Sequence, residues 1–515
     1  MIKNLYTAFE TARNGTQIPV LYNNRTIESR YNPESEAQKL CSSIEKHYDF
    51  FLVLGLASGL FVKLLHETFP QSKIICIERS QQEINFLLQM QRVKKLYESE
   101  NIIITDFSKL VPTLTQNYVP ARYGDMKIIE LRAWVNENSD ILTFLQNNLK
   151  KALGIISADY SVQSHFGKIW QKNIMNNLKF LSENTFAKPF LSVLELTKSL
   201  KTAAVIAAGP TLEKAVLELK RNEDNYFIIS TDTAFSTLLK SDIIPQAVIS
   251  IDGQQVSSSH FINSKTKACF NHTVFFFDLC SNSSIAKNIL QHNGRLIFFK
   301  SGHPLCELAD INNNSIPKLF SGSGTVTIAA TDLAVKLGFS NIKVFGADFS
   351  YINGKPYAKG TYLENIFTSR STRLQNAEAK YLSLMYRTPL IQTGCKNYTT
   401  EILNAYKTSF EQYLSDNSLR FIKQNDCYEL HSQHNQAHNL SVSSNFSVFS
   451  GQTFDYNSFL NKLQVNLNGL QKNNADFITA LLPYIAWLRK TTGEIQFEKL
   501  LKLAQSDIVS YNKTS

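Results

Sequence analysis

Short apolar runs alternate with helical patterns of apolar positions along much of this chain. In the middle of the chain, six such runs have the length of a buried strand, and helical patterns lie between them. Strands and helices that alternate in this way form a parallel sheet with helices packed on its faces. The predicted strands are 203–208, 226–230, 246–251, 274–279, 295–300 and 341–346.

A smaller unit of the same kind is predicted before this sheet. The apolar run 50–54 leads into a glycine turn and a helix, and the run 73–78 repeats the pattern. Gly55, Gly59 and Glu78 imitate a dinucleotide or S-adenosylmethionine fingerprint, in which the acid binds a ribose. The spacing Gly-x-x-x-Gly departs from that fingerprint, and glycines that only let a helix pack on a strand are the alternative.

Helical patterns dominate the rest of the chain, at 374–385, at 400–414 and in two amphipathic segments of 455–515. We therefore predict an α/β protein with a central Rossmann-like parallel sheet, a smaller α/β domain before it and a helical C-terminal region after it. The predicted domains are a lead-in (1–45), the N-terminal α/β domain (46–135), a helical connector (136–200), the central domain (201–390) and a mainly helical C-terminal region (391–515).

Composition and charge narrow the class of protein. A length of 515 residues indicates two or three domains, and the net charge of +10 favours an anionic partner. The Lys and Arg residues form no long block, so nucleic acid is not an expected partner. The longest uncharged apolar run, 50–62, is too short to span a membrane.

The cysteines and the N-terminus indicate a cytoplasmic protein. Seven cysteines are scattered without a Cys-x-x-Cys or Cys/His metal spacing, which predicts free thiols in a reducing compartment and no metal site. The first residues lack the continuous apolar segment of a signal peptide.

Polar residues follow four of the six central strands at the point where each strand ends. Ligands bind parallel sheets at the carboxyl ends of the strands, so these side chains are expected to converge on one crevice. For each residue taken singly, a helix N-cap or a turn carboxylate is the alternative. The candidates are Gly209, Pro210 and Thr211 after 203–208, Thr231 and Asp232 after 226–230, Asp252 after 246–251, and Asp348 after 341–346.

Two further segments provide candidate phosphate ligands. Ser323, Gly324 and Thr325 lie in a Gly-rich loop before an Ala/Thr-rich helix, and the loop lacks the Gly-Lys-Ser/Thr ending of an ATP-binding P-loop. Tyr351 and Tyr357 lie on a glycine-bounded loop with two lysines, where phenol and ammonium donors suit a departing phosphate. A surface loop with packed aromatic residues is the alternative.

Several short sequence motifs resemble those of the motility-associated factor (Maf) family of flagellin glycosyltransferases, and the resemblance extends over most of the chain. The resemblance rests on the phrases Gly209–Leu212, Ile244–Asp252 and Gly324–Asp348, in that order. It implies transfer of a nonulosonic acid, of the pseudaminic or legionaminic type, from a CMP-sugar to Ser or Thr of flagellin without a further cofactor. A pterin pyrophosphokinase-like family shares the Gly-Pro-Ser/Thr-Leu opening.

The central domain is also similar to the bacterial sialyltransferases that use CMP-sialic acid. In that family, two tyrosines past the Gly-x-Asp-Phe strand end assist the leaving CMP, and Tyr351 and Tyr357 occupy comparable positions. Ala208 stands where that family has an Asn, and its general-base histidine has no counterpart that the sequence identifies. Asp252 and Asp348 are therefore the candidate bases.

Two rival functions remain open. One is an ATP- and magnesium-dependent pterin-type pyrophosphokinase. The other is a non-catalytic factor that binds flagellin or assists its export and keeps the fold without using it.

Overall fold

The computed structural model describes residues 4–184, 200, 202–262, 265–311, 315–322, 324–424, 426–432, 454–468 and 475–510. The chain divides into two compact units. Unit 1 comprises Met1–Gly167 with Leu481–Ile508, and unit 2 comprises Lys168–Ala480 with Val509–Ser515.

Unit 1 contains a four-stranded parallel sheet in the order β5-β4-β3-β6, together with an antiparallel hairpin, β1–β2. Every residue of β3 is buried, as expected for a strand that helices cover on both faces. The strands are β1 (Tyr6–Thr11), β2 (Gln17–Leu21), β3 (Phe50–Leu54), β4 (Lys73–Glu78), β5 (Ile102–Asp106) and β6 (Met126–Glu130).

The helices of the first 183 residues include one of 42 residues, α8, within which the boundary between the units falls. A 3-10 helix, Phe107–Lys109, precedes α5. The α-helices are α1 (Pro33–Ser42), α2 (Leu60–Thr68), α3 (Gln81–Leu87), α4 (Gln91–Tyr97), α5 (Leu110–Asn117), α6 (Pro120–Tyr123), α7 (Arg132–Glu137) and α8 (Leu142–Glu183).

Unit 2 contains an eight-stranded sheet, and its six parallel strands are the six predicted from the sequence. The strand order is β11-β10-β9-β8-β7-β12-β17-β16, and a separate small sheet has the order β13-β15-β14. The strands are β7 (Thr202–Ile206), β8 (Tyr226–Thr231), β9 (Ala247–Ser250), β10 (Val274–Asp278), β11 (Arg295–Phe299), β12 (Asn341–Phe345), β13 (Tyr351–Ile352), β14 (Ile391–Gly394), β15 (Asn397–Thr399), β16 (Leu419–Gln424) and β17 (Cys427–Ser432).

Helices connect these strands and continue beyond them. The segments Glu223–Asn225 and Gln255–Phe261 are 3-10 helices. The α-helices are α9 (Leu212–Arg221), α10 (Asp232–Lys240), α11 (Thr266–Cys269), α12 (Ser283–Gln291), α13 (Pro304–Ala309), α14 (Val326–Lys336), α15 (Tyr362–Ser369), α16 (Ala377–Met385), α17 (Glu401–Asp416), α18 (Tyr456–Asn468), α19 (Ala475–Thr492) and α20 (Phe497–Ser510).

The central sheet buries both of its faces, and β7 shows how. Ala203 and Val205 belong to the hydrophobic cluster on the side of α14, whereas Ala204 and Ile206 belong to the cluster on the side of α9 and α10. Successive side chains of a strand point to opposite faces, so in a strand that is covered on both sides every side chain faces the hydrophobic core. This burial holds the carboxyl ends of the strands in place.

The predicted fold class is confirmed, but several strands were not predicted, among them those of the small sheet β13-β15-β14. The strands β16 and β17 come from the region predicted to be mainly helical, and β17 pairs antiparallel with β12. The hairpin β1–β2 lies in the segment predicted as a polar lead-in. Within the described residues, no helix combines the length and the apolar character needed to cross a lipid bilayer.

Candidate functional site

The turn after β7 packs backbone against backbone on the turn after β12. The N–H of Gly209 donates to the carbonyl oxygen of Gly346 at 2.8 Å. A Cβ on Gly209 would lie 2.4 Å from that oxygen, and a Cβ on Gly346 would lie 2.2 Å from the carbonyl oxygen of Ala207. Gly346 also has a φ of +69°. Glycine is therefore required on both sides of this contact.

Asp348 clamps the same turn. The Thr211 N–H donates to its Oδ2 at 2.9 Å and the Thr211 hydroxyl to its Oδ1 at 2.5 Å. Burial raises the pKa of Asp348, and the two hydrogen bonds from Thr211 lower it by a smaller amount. Thr211 occupies the N-cap position of α9, but its hydroxyl binds Asp348 and makes no capping hydrogen bond. With both oxygens engaged, Asp348 has a structural role, and its role as a base stays a prediction.

Thr231 and Asp232 link the neighbouring strand ends. The Thr231 hydroxyl donates to the carbonyl oxygen of Ile206 at 3.1 Å. Asp232 is buried, and its Oδ2 accepts from the Ser250 hydroxyl at 2.7 Å while its Oδ1 accepts from the Thr233 N–H at 2.6 Å. These bonds connect β8 to β7 and β9.

Asp252 follows β9 and lies close to a histidine that the sequence did not single out. Its Oδ1 accepts the Gln254 N–H at 2.9 Å. Burial raises the pKa of Asp252, the nearby Asp232 adds to the rise, and His260 acts against it. His260 lies in the 3-10 helix after β9, is buried, and its Nδ1 has no hydrogen-bond partner among the residues that the structure describes.

Four phenols gather near these groups. The Tyr362 ring meets the His260 ring edge-on, with 4.5 Å between centroids. Burial raises the pKa of Tyr357 to about 12, and the phenols of Tyr362, Tyr351 and Tyr406 contribute to the rise. Burial also raises the pKa of Tyr351. The Tyr357 side chain remains 37% exposed. It is therefore a protonated hydrogen-bond donor that solvent, or a ligand, can reach.

The loop that carries Tyr351 and Tyr357 contacts α9 through its two lysines. Lys355 Nζ lies 2.9 and 3.0 Å from the carboxylate oxygens of Glu213, and the Lys359 backbone N–H donates to the same carboxylate at 2.9 Å. A lysine paired in this way is a weaker phosphate ligand. The phenols are therefore more available donors than the Lys355 ammonium.

The Gly-rich loop before α14 is only partly described. Gly324 has a φ of +85°, and a Cβ there would meet open space. The N–H groups of Gly324 and Thr325 both donate to the carbonyl oxygen of Ser321 at 3.1 Å, so this turn binds its own backbone. Ser323 lies outside the described residues. Phosphate binding by this loop stays a prediction.

A groove of about 870 Å³ lies beside this loop, along α17. The Phe320 ring stacks on Tyr413 at 5.5 Å, and the Tyr413 hydroxyl donates to the buried Asp332 at 2.8 Å. Lys336 donates to the same Asp332 at 2.7 Å. The rest of the groove is mostly amide and hydroxyl side chains, including Asn404, Thr408, Ser409, Gln412 and Asn417.

The fingerprint-like glycines of unit 1 pack the protein's own core. A Cβ on Gly55 would lie 2.7 Å from Cγ of Trp134. Glu78 accepts the Trp134 indole N–H at 2.6 Å, the Tyr6 hydroxyl at 3.2 Å and the Leu56 N–H at 3.1 Å. Trp134 thus fills the space beside Gly55 and engages the acid, which favours the packing alternative.

Residues 172–354 match the family model described as 6-hydroxymethylpterin diphosphokinase MptE-like. The structure of the MAf glycosyltransferase from Magnetospirillum magneticum AMB-1 aligns with 99% of this chain and 87% of that chain, at 10% identity and a TM-score of 0.48. The name of that protein is that of the family which the sequence motifs resemble.

Two curated relatives come from Treponema pallidum (strain Nichols), and both are uncharacterized proteins. One is 30% identical over 241 residues, which is 46% of this chain and 75% of the relative. The other is 31% identical over 150 residues, which is 29% of this chain and 69% of the relative. The chain therefore belongs to the same protein family as these two Treponema pallidum proteins, and it carries an MptE-like domain.

Proposed function

We propose that this protein is a glycosyltransferase that moves a nonulosonic acid from a CMP-sugar to Ser or Thr hydroxyls of flagellin. The observation that carries the proposal is the cluster at the carboxyl ends of the central strands, where Asp232, Asp252 and His260 lie near the phenols of Tyr357 and Tyr362. Carboxylates and an imidazole, which can accept a proton, thus lie in the same site as phenols, which can donate one. The sequence resemblance to the Maf family supports the choice of substrates.

Glycosyl transfer from a CMP-sugar needs a group that accepts a proton and groups that stabilise the leaving phosphate. The acceptor hydroxyl oxygen attacks the anomeric carbon, the bond from that carbon to the phosphate oxygen breaks, and CMP leaves with the electron pair. Tyr357, whose burial raises its pKa to about 12, stays protonated at neutral pH and can donate to the phosphate. Tyr351 is the second candidate donor.

The proton of the acceptor hydroxyl would pass to Asp252 or to His260. Burial raises the pKa of Asp252, which makes it a stronger base than an ordinary exposed carboxylate. The unpartnered Nδ1 of His260 offers a second acceptor beside it. Asp348 is the less favoured base, because Thr211 binds both of its oxygens.

The acceptor protein would bind next to the donor site. The groove along α17 supports this part of the proposal, since Phe320 offers an aromatic surface and the amide side chains offer hydrogen bonds to a polypeptide. We propose that the transfer occurs in the cytoplasm, before flagellin is exported.

The experiment combines purified protein, flagellin and a CMP-nonulosonic acid, with flagellin mass and released CMP as the two measurements. The proposal predicts a mass increase of one or more nonulosonic acid residues and an equal amount of CMP. Flagellin of unchanged mass in this assay, and also from cells with and without the gene, would contradict it. Binding of flagellin without a mass change would favour the non-catalytic flagellin-binding factor.

The match of residues 172–354 to the MptE-like model favours a second candidate, a pterin-type diphosphokinase. Transfer of a diphosphate from ATP normally requires Mg²⁺, and Asp232 and Asp252 are carboxylates near enough to interact electrostatically. A thermal-shift comparison separates the candidates: CMP should raise Tm for the glycosyltransferase, and ATP with Mg²⁺ should raise it for the diphosphokinase.

A further inference from the structure

Two cysteines and a histidine come together at the carboxyl ends of β10 and β11. Cys280 follows β10, whereas His303 and Cys306 lie at the start of α13. One ligand atom from each of the three side chains lies within 4.8 Å of the other two. Both thiols are buried. The sequence prediction of no metal spacing missed this cluster, because Cys280 is far from the other two residues along the chain.

Two buried polar atoms next to these thiols have no partner. Asp278 ends β10, and its Oδ1 accepts the Cys280 N–H at 2.6 Å. Its Oδ2, and Nε2 of His303, have no hydrogen-bond partner within the described part of the chain. An unsatisfied buried polar atom costs about 1–3 kcal/mol, so two of them beside two thiols require an explanation.

We propose that Cys280, His303 and Cys306 bind a Zn²⁺ ion. Thiolate and imidazole are among the ligands that zinc takes in tetrahedral sites. The Asp278 carboxylate accepts the Cys280 N–H and so fixes the position of this ligand. The three ligands are not among the residues assigned to the proposed transfer, so the zinc site does not depend on that activity, although Cys280 lies next to the Asp252 turn.

Binding of one Zn²⁺ ion at this site releases two protons, so the total charge of the site does not change. The S–H bonds of Cys280 and Cys306 break, their protons pass to solvent, and two zinc–sulfur bonds form. The His303 imidazole binds zinc in its neutral form and releases no proton. Its Nδ1 accepts the Leu305 N–H at 3.2 Å, so binding through Nε2 moves the ring proton to Nδ1 and exchanges this weak hydrogen bond for the metal bond.

The site would fasten the edge of the central sheet. β11 is the last strand on that side, and the ligands come from the ends of β10 and from α13 after β11. A metal that joins these segments would oppose the separation of the edge strand. Chelation should therefore lower the thermal stability of the protein even if it leaves the proposed activity intact.

The test measures zinc in the full-length protein, purified without chelator, by mass spectrometry of elements. We expect about one zinc ion per chain, falling below about a tenth in the double variant Cys280→Ser/Cys306→Ser. Cys395→Ser changes an exposed cysteine outside the cluster and should keep the zinc. Protein without zinc after incubation with ZnCl₂, or zinc retained by the double variant, would overturn the proposal.

A second measurement covers the case in which the double variant does not fold. The wild-type protein is treated with a chelator, and its Tm is followed before and after Zn²⁺ is returned. We expect a fall in Tm that Zn²⁺ reverses, and a thiolate-to-metal absorption band when Co²⁺ replaces Zn²⁺. An unchanged Tm, or a Cys280–Cys306 disulfide in the purified protein, would count against the site.

Discussion

Thr211 binds the carboxylate of Asp348 twice, across 137 positions of the sequence. The backbone N–H and the hydroxyl of one residue both donate to this half-buried acid, which fixes the turn after β7 against the turn after β12. The contact with Gly209 adds to the same arrangement, because its missing Cβ leaves room for the Asp348 carboxylate. This clamp shapes the strand ends on which the proposed site depends.

Loss of one bond of the clamp should destabilise the protein measurably. Thr211→Val removes the hydroxyl donor and keeps the backbone donor, so we expect the free energy of unfolding to fall by about 1.5–3 kcal/mol, as for hydrogen bonds to charged groups. Urea unfolding measures this. Thr68→Val, on the surface of α2, is the control and should change it by less than about 0.5 kcal/mol. Equal losses in both variants would contradict the clamp.

Tyr357→Phe removes a phenol donor and leaves the ring in place. If the phenol stabilises the departing phosphate, the transfer rate should fall by roughly 10²- to 10³-fold while Tm stays unchanged. The rate of CMP release from the CMP-sugar with flagellin present is the measurement. Tyr386→Phe is the matched control, since that side chain is 67% exposed. A rate of Tyr357→Phe equal to that of the control would exclude a role for this phenol.

The pH dependence of the transfer should report Asp252. Burial raises the pKa of this carboxyl, so the rate should increase with pH as Asp252 loses its proton, with a midpoint above the ordinary range of aspartate. Asp252→Asn should lower the rate by roughly 10²- to 10⁴-fold and abolish this acidic limb.

His260→Gln tests the neighbouring base. If His260 takes the proton, this variant should lose the rate and Asp252→Asn should keep the larger part of it. The same assay over a series of pH values measures both variants. Profiles identical to the wild type in both would exclude Asp252 and His260 together.

Glu28 should make unit 1 less stable as the pH rises. Burial raises the pKa of Glu28 to about 7, although the Ser58 N–H at 3.0 Å and the Ser58 hydroxyl at 2.6 Å donate to it. The folded state therefore holds this proton more tightly than the unfolded state, and stability is lost as the pH rises from about 4.5 through about 7. At about 1.4 kcal/mol per pKa unit, the loss is roughly 3 kcal/mol.

Unfolding of wild type and Glu28→Gln at several pH values measures this effect. The wild type should lose stability relative to the variant over that interval, because Gln does not titrate. Two curves that stay parallel between pH 4.5 and pH 7 would show that Glu28 keeps an ordinary pKa.

Unit 1 should bind neither NAD nor S-adenosylmethionine. Trp134 packs on Gly55 and donates to Glu78, so the space and the acid of a cofactor site are both occupied. We expect no change in Tm with either compound at millimolar concentration. Trp134→Ala should cost about 3–5 kcal/mol of stability, as for other buried aromatic residues. A ligand-dependent rise of Tm in the wild type would contradict this interpretation.

Local pattern was sufficient for the parallel sheet but not for its antiparallel extension. The six central strands are continuous apolar runs, because both of their faces are buried. β17, with the sequence Cys-Tyr-Glu-Leu-His-Ser, alternates apolar and polar residues only over Tyr428–His431, which is too short for a clear strand signal, and it lies next to a polar segment. Its pairing with β12 is a contact between distant parts of the chain, which a local pattern does not encode.

The candidate site was predicted in part for the same reason. Asp232 and Asp252 follow recognisable strands, and the prediction placed them at one edge of the sheet. His260 lies in a 3-10 helix among serines, and only its position beside Tyr362 and its unpartnered nitrogen distinguish it. The engagement of Asp348 by Thr211 and of Glu78 by Trp134 likewise follows from tertiary packing.

The pairing of β17 with β12 has a practical consequence for anyone who shortens this protein. A fragment that stops at residue 390 would lack both β17 and β16, so the peptide groups of β12 along that side would be left open to other molecules. Such a fragment should precipitate or form strand-mediated aggregates, even though it contains all of residues 172–354, which match the MptE-like family model. Fragments for crystallisation or assay should therefore extend at least through Ser432.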